Sequence, residues 1–246
     1  MKQTRILMGM PITLEVIDAP ASDIFDAVFA YFEYVDRTFS TYKEDSQISR
    51  INRQELAIEQ ASADMRTIFT LAEQTRQLTA GYFDIARNGI YDPSGIVKGW
   101  AIDRAAKIIV QHGYKSFYVD AGGDIQMAGS NSQGQPWRVG IRNPFNLNEI
   151  VKVLAVSNCG VATSGTSIRG HHIYNPHSDS PLRTDLVSLT VIGPNIYEAD
   201  RFATAAFAMG AAGIMFIEQL AGFEGYAIDR RGLATYTSDF MRYTQP

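Results

Sequence analysis

Asp200 and Thr204, in "EADRFATAAFAMG", stand four positions apart, which on a helix brings a carboxylate and a hydroxyl to one face. Both are hard oxygen ligands of the kind Mg²⁺ takes, with phosphate oxygens completing its shell. The plainer role for Asp200 is a favourable contact with the positive end of the helix dipole, with Thr204 packing. A second candidate is "GIYDPSGIVKGWAIDR", residues 89–104, where Lys98 lies between glycines just as a loop runs into a helix. With Lys98 inside its first turn, such a helix start would offer free amides and a positive charge to a phosphate. The Gly-x-x-x-x-Gly-Lys-Ser/Thr spacing of a nucleotide-binding P-loop is absent, and a helix start with a solvent-facing lysine explains the pattern as well.

Two more segments carry polar chemistry. In "DAGGDIQMAG" the pair Gly122-Gly123 stands between Asp120 and Asp124; it either lets a backbone approach a ligand or makes a hairpin turn. "GVATSGTSIRGHHIYNPHSDSP" gathers His171, His172 and His177 with several serines and threonines. A hydrolase triad is disfavoured because the Gly-x-Ser-x-Gly elbow is missing. A zinc site from the three histidines lacks the support of a helical His-x-x-x-His pair.

The elements that must hold these residues follow from periodicity. Residues 5–17 read as one or two strands near a sheet edge, bent at Gly9 and Pro11. From Ser22, a plausible N-cap, Ile24, Phe25, Val28, Phe29, Phe32 and Val35 recur at helical spacing. A loop around Ser40–Ser46 leads to a helix from Ser62 that Gly81 stops, and a third helix spans Trp100–Val110. "YKSFYVDAGGDIQMAG" predicts strand, Gly-Gly turn, strand; "PWRVGIRNP", "EIVKVLAVSN" and Leu186–Ile192 predict further strands. An alanine-rich helix over Ile196–Met209, a short helical piece to Leu220 and a hairpin complete the chain. Clustered, mostly antiparallel strands with interspersed helices predict an α+β fold of twisted sheets packed with helices, as a single domain over 1–246.

Composition bounds the partners. The 246 residues, 46% hydrophobic and 20% charged, suit an ordinary globular core, and a net charge of -4 leaves no basic stripe for nucleic acid. One cysteine, Cys159, excludes an internal disulfide and a thiolate metal cluster. With no long apolar run, no membrane anchor is expected and a cytoplasmic location is.

In order along the chain, these segments resemble the FAD:protein FMN transferase family (the ApbE family), from about Met8 to the C-terminal region. The family's Met-Gly-Thr is similar to Met8-Gly9-Met10, and its Ser-Thr-Tyr…Asp-Ser-x-Leu-Ser-Arg-x-Asn to Ser40–Asn52. Gly-x-Phe-Asp is present at Gly81–Asp84, and Asp-Leu-Gly-Gly-Ile-Ala-Lys-Gly-x-Ala-x-Asp resembles Asp92–Asp103. Gly-Gly-Asp, Pro-Trp-x-Val-Gly-Ile, Ala-Thr-Ser-Gly, His-Ile-x-Asp-Pro and Ala-Asp-x-x-Ala-Thr match Gly122–Asp124, Pro136–Ile141, Ala162–Gly165, His172–Pro176 and Ala199–Thr204.

The resemblance implies a Mg²⁺-dependent enzyme that splits the FAD pyrophosphate, releases AMP and attaches FMN by a phosphoester to a threonine or serine of an acceptor flavoprotein. Hydrolysis of FAD to FMN and AMP, and flavin binding without turnover, are the alternatives. Carried over, Asp200, Thr204 and the Gly95 carbonyl hold the metal, Lys98 and Asp92 contact FAD, and His172 is the catalytic base. Met8, Tyr42, Tyr82, Phe83, Asp84, Gly122, Gly123 and Asp124 line the flavin pocket.

The chain departs from the family pattern in four places, one of them His177-Ser178-Asp179 where Arg-Thr-Gly usually follows. Asp84 and Asp92 are only eight positions apart, where family members insert a few tens of residues; Asn175 replaces the aspartate after His172; Met10 replaces the N-terminal threonine. The shortening would bare apolar surface, which leaves a homo-oligomer open.

Overall fold

In the computed structural model, residues 1–17, 23–166, 173–178 and 184–244 are described. Strands β1 (Lys2–Leu7) and β2 (Met10–Val16) form a hairpin, followed by helices α1 (Asp23–Phe39), α2 (Gln47–Asn52) and α3 (Ala63–Leu78). A miniature hairpin, β3 (Ala86–Arg87) and β4 (Ile90–Tyr91), leads into α4 (Ser94–Gln111). Then come β5 (Phe117–Ala121), β6 (Asp124–Ala128), β7 (Trp137–Asn143), β8 (Asn146–Val156), β9 (Gly160–Gly165) and β10 (Leu186–Gly193). Helices α5 (Ile196–Ala208) and α6 (Gly213–Glu218) precede β11 (Glu224–Asp229) and β12 (Ala234–Tyr236).

Eight strands make one sheet in the order β1-β2-β5-β6-β9-β10-β11-β12, every neighbouring pair antiparallel. The expected α+β class is what the chain adopts, with β1 at the sheet edge. Strand alternation sends successive side chains to opposite faces, and both faces are buried. Leu14, Val119, Ala162, Leu189, Val191 and Ala227 join the core shared with the helices. Their neighbours Val161, Ile192, Tyr226 and Ile228 join a second core beneath the β7–β8 ribbon, with Trp137, Leu154 and Phe240. The layers are therefore helices, sheet and ribbon.

The helix starts show where sequence reading succeeds and where it slips. Ser62 caps α3 as expected, its side chain accepting a hydrogen bond from the Met65 amide. Ser22, read as the cap of α1, lies outside the described residues. Helix α4 begins at Ser94, six residues before the expected Trp100, so Lys98 sits in its second turn rather than its first. Asp92 explains the early start: its Oδ1 accepts the Ser94 amide at 3.0 Å, doing the work of a cap from outside the helix. The short α2, capped by Ser46 through the Ser49 amide at 3.1 Å, falls in a stretch the periodicity had not marked as helical.

Among the described residues no helix is long and apolar enough to cross a membrane. Phe32 on α1 is fully buried in the main core. Phe32→Ala should lower unfolding free energy by about 3–5 kcal/mol, read as a drop in the urea midpoint with an unchanged slope.

Candidate active site

The N-terminal half of α4 packs against α5 through two small residues spaced one turn apart. A Cβ built on Gly99 would lie 2.7 Å from Asp200 Cβ, so only glycine lets the helices approach this closely. One turn earlier, a Cβ on Gly95 would lie 3.6 Å from Thr204 Cγ2 and 3.3 Å from the Phe83 ring. The pairs Gly95–Thr204 and Gly99–Asp200 thus bring the hydroxyl and the carboxylate of α5 onto the start of α4.

Asp200 is buried, and its Oδ2 accepts the Gly99 amide at 2.8 Å. That amide is the regular helical partner of the Gly95 carbonyl, so Asp200 competes for it and leaves the Gly95 oxygen better able to bind a ligand. Lys98, also on α4, places Nζ 2.5 Å from Asp124 Oδ2 and 3.7 Å from Asp200 Oδ1. Asp124 opens β6, and its Oδ1 accepts the Thr163 amide of β9 at 3.0 Å. Ser164 Oγ lies 3.4 Å from Thr204 Oγ1.

One ammonium therefore faces two buried carboxylates. Burial pushes the Asp200 carboxyl above the usual carboxylate range and nearby Asp124 adds to the rise, while Lys98 opposes it. With both carboxylates ionised, one ammonium leaves an excess negative charge beside Thr204 Oγ1, Ser164 Oγ and the Gly95 carbonyl, which a bound cation would offset. Hard oxygen donors of this kind around excess negative charge fit a Mg²⁺ ion.

These groups lie on the wall of a cavity of about 900 Å³. Of the residues singled out in the sequence, Lys98, Tyr82, Phe83, Asp84, Asp92, Gly122, Gly123, Asp124, Gly95, Asp200 and Thr204 all line it. Gly122 and Gly123, with φ of +64° and +99°, make the tight turn between β5 and β6. Met8 and Tyr42 do not line the cavity. Met8 turns the β1–β2 hairpin and packs on the main core, leaving Gly9, Met10 and Pro11 at the cavity; Tyr42 is 97% exposed on a turn. His172 lies outside the described residues, as do His171 and Asp179.

His177 is engaged elsewhere: its Nε2 donates to the Ala80 carbonyl at 2.9 Å and its ring meets Tyr82 edge-on at 4.6 Å. Among the described residues no cluster of three metal-ligating His, Cys, Asp or Glu side chains occurs. Burial pushes the Cys159 thiol up to about 11, so it is not a nucleophile near neutral pH.

The shortened segment closes neatly. Asn88 and Gly89, at φ +52° and +78°, turn β3 into β4, and the Asp92 amide donates to the Ile85 carbonyl at 2.7 Å. Asn52 of α2 grips the hairpin from both sides, donating Nδ2–H to the Tyr91 carbonyl and accepting the Tyr91 amide, each at 2.9 Å. Asn52 ends the Ser40–Asn52 motif, and its contact spans 39 positions, so no local pattern signals it. Tyr174 Oη donates to the Asp84 carbonyl at 2.6 Å, and the Arg87 guanidinium lies 4.5 Å from the Tyr174 ring centre. Asn175 Oδ1 accepts the His177 amide at 2.9 Å. An amide oxygen fills that acceptor role as well as a carboxylate would.

The ApbE family model matches residues 8–92 and 87–227. The chain belongs to the ApbE family. The FAD:protein FMN transferase of Salmonella typhimurium is 31% identical over 150 residues, covering 57% of this chain but only 43% of that protein. The FAD:protein FMN transferase of Haemophilus influenzae is 24% identical over 296 residues, covering 93% of this chain and 86% of that one. Among solved structures, the flavin transferase ApbE from Vibrio cholerae superposes with a TM-score of 0.87 at 23% identity, covering 99% of this chain and 98% of that one. The ApbE protein from Thermotoga maritima gives 0.88 at 20% identity, covering 100% and 99%. At these identities the structures establish the shared ApbE fold.

Within this ApbE fold the Lys98–Asp124 pair is short, with Asp124 buried and Lys98 partly so. Asp124→Ala should destabilise the protein by about 3 kcal/mol, because an ammonium is left without its nearest counter-charge. Asp124→Asn should lose less, since the amide oxygen still accepts from Thr163; urea titrations of the two variants at neutral pH make the comparison.

Proposed function

We propose that this chain is a Mg²⁺-dependent FAD:protein FMN transferase, cleaving FAD to AMP and joining FMN by a phosphoester to a threonine or serine of an acceptor protein. The observation that carries the reading is the Lys98, Asp124, Asp200, Thr204 cluster on the wall of a cavity that also presents Tyr82, Phe83 and the Gly122-Gly123 turn. Asp200, Thr204 and the Gly95 carbonyl would hold Mg²⁺. When bound, the ion supplies Lewis-acid neutralisation of phosphate oxygens.

The chain's own residues supply the rest. Lys98, held by two carboxylates near the start of α4, offers a fixed positive charge to the pyrophosphate as charge grows on the departing AMP phosphate. Tyr82 and the buried Phe83 give the flavin an apolar wall, and the Gly122-Gly123 backbone allows close approach. The acceptor hydroxyl oxygen bonds to the FMN phosphorus as the bond to the AMP oxygen breaks. The hydroxyl proton passes to a base, the role the family resemblance gives His172, and histidine suits it near neutral pH. Water in place of the hydroxyl would give FMN and AMP instead.

Incubating the purified protein with FAD and Mg²⁺, with and without a candidate acceptor, distinguishes these outcomes. The expected result is AMP together with flavin-labelled acceptor. AMP with free FMN alone would make it a pyrophosphatase, and intact bound FAD would remove both enzyme readings. Asp200→Ala should abolish Mg²⁺-dependent AMP release while the protein stays folded; normal turnover in that variant would refute the metal assignment.

A further inference from the structure

The β7–β8 ribbon does more than cover the second core. Trp137, Arg138, Val139 and Gly140 line the cavity consecutively. A strand presented by one face contributes only every second residue, so a run of adjacent residues means that β7 meets the cavity by its edge. Among the described residues β7 pairs with β8 alone, which leaves the other edge's backbone donors and acceptors outside any ladder.

The side chains along this edge have a distinct character. Arg138 and Arg142 project from the outer face of β7 on either side of Gly140, both line the cavity, and neither makes an ion pair among the described residues. Beyond them the ribbon tip exposes Phe145 (57%) and Leu147 (40%), and Ile150 (51%) lies beside the arginines as the partner of Arg142; Leu147 and Ile150 reach the cavity rim. Ile150 crosses over Gly140, where a Cβ would come within 2.8 Å of its Cδ1. The result is a continuous track: exposed apolar tip, two cations, open strand edge, then the Lys98–Asp200 cluster. A nucleotide held at that cluster has no use for the exposed tip, whereas a polypeptide entering from solvent passes along all of it.

We propose that the β7 edge is the docking track for the acceptor polypeptide, which adds as an extended strand and carries acidic side chains that meet Arg138 and Arg142. This rests on the transferase reading for its purpose, but docking itself is separately measurable. Strand addition gives affinity through main-chain hydrogen bonds and specificity through alternate side chains, and the paired arginines favour carboxylates.

The test uses the full chain and three synthetic peptides of equal length with one central threonine: flanked by aspartates, flanked by lysines, and the aspartate version N-methylated at alternate backbone positions. Fluorescence anisotropy should show binding of the aspartate peptide that weakens with salt, with the lysine and N-methylated peptides about tenfold weaker or worse. Arg138→Glu should weaken the aspartate peptide by about tenfold and improve the lysine peptide, while FAD binding, followed by flavin fluorescence, stays unchanged. Equal binding of all three peptides, or none, overturns the proposal. A parallel loss of FAD binding in Arg138→Glu would make this arginine a nucleotide contact and overturn it too. AMP release from FAD, measured beside these, reports on the transferase reading alone: selective peptide docking without AMP release keeps the track and removes the transfer.

Discussion

The Lys98 ammonium, held between Asp124 and Asp200, is the constraint around which the rest of the site is arranged. Removing an ammonium and two carboxylates from water is costly, and only close geometry with further hydrogen bonds makes it tolerable. Each of the three arrives on a different element: Lys98 on α4, Asp200 on α5, Asp124 at the start of β6. Their meeting therefore fixes the approach of two helices to each other and to the sheet. Gly99 admits that approach, and its amide takes Asp200 Oδ2. Gln126, one strand position pair beyond Asp124, accepts the Ile196 amide through Oε1 at 2.8 Å and so anchors the first turn of α5 to the sheet. At the outer side of α5, Arg201 is buried against Glu198, Thr75 and the Phe202 ring, tying that helix to α3.

Much of this was legible in the sequence because it depends on local spacing. The β5–β6 hairpin announced itself through adjacent glycines, and α5 through its apolar period and the Gly210 that follows it. Asp200 and Thr204 were readable as one helical face. What escaped has a physical reason in each case. The start of α4 was misjudged because Asp92, from outside the helix, supplies the cap, and two glycines made the first turns look like loop. Asn52 acts on residues far along the chain. In the β1–β2 turn, positive φ at Met8 and Gly9 puts Gly9, Met10 and Pro11 on the cavity wall, an arrangement that residue spacing does not encode. Ser164 stood in a matched motif, yet its place beside Thr204 depends on the register of β9 with β10, which no local pattern encodes.

The hairpin before Asp92 shows how a short segment is held in place beside the cavity. A two-residue turn with positive φ at Asn88 and Gly89 joins β3 to β4 and brings Asp84 and Asp92 to the cavity. Both aspartates also hold backbone: Asp84 Oδ1 accepts the Ala86 amide at 2.8 Å and Asp92 Oδ1 the Ser94 amide. Asn52 and Tyr174 brace the hairpin from opposite sides. Its position is set by these hydrogen bonds, by the Arg87–Tyr174 stack and by Phe83, Ile85 and Tyr91 packing into the main core.

The topology itself accounts for where the site lies. Between β6 and β9 the chain leaves the main sheet to build the β7–β8 ribbon on the opposite face, then returns. The two strands flanking that excursion stay paired only through Ile125–Val161 and Gln126–Gly160 before the ladder ends. Past that point the amide of Thr163, a residue exposed on β9, takes its acceptor from a side chain instead of the ladder. Asp124 provides it through Oδ1 while its Oδ2 faces Lys98 of α4, so one buried carboxylate joins the end of the ladder to the charge cluster. The cavity opens where the sheet's own hydrogen bonding runs out, and the ribbon whose departure ended the ladder forms its other wall. Charge cluster, cavity and open strand edge are thus three consequences of one detour in the chain.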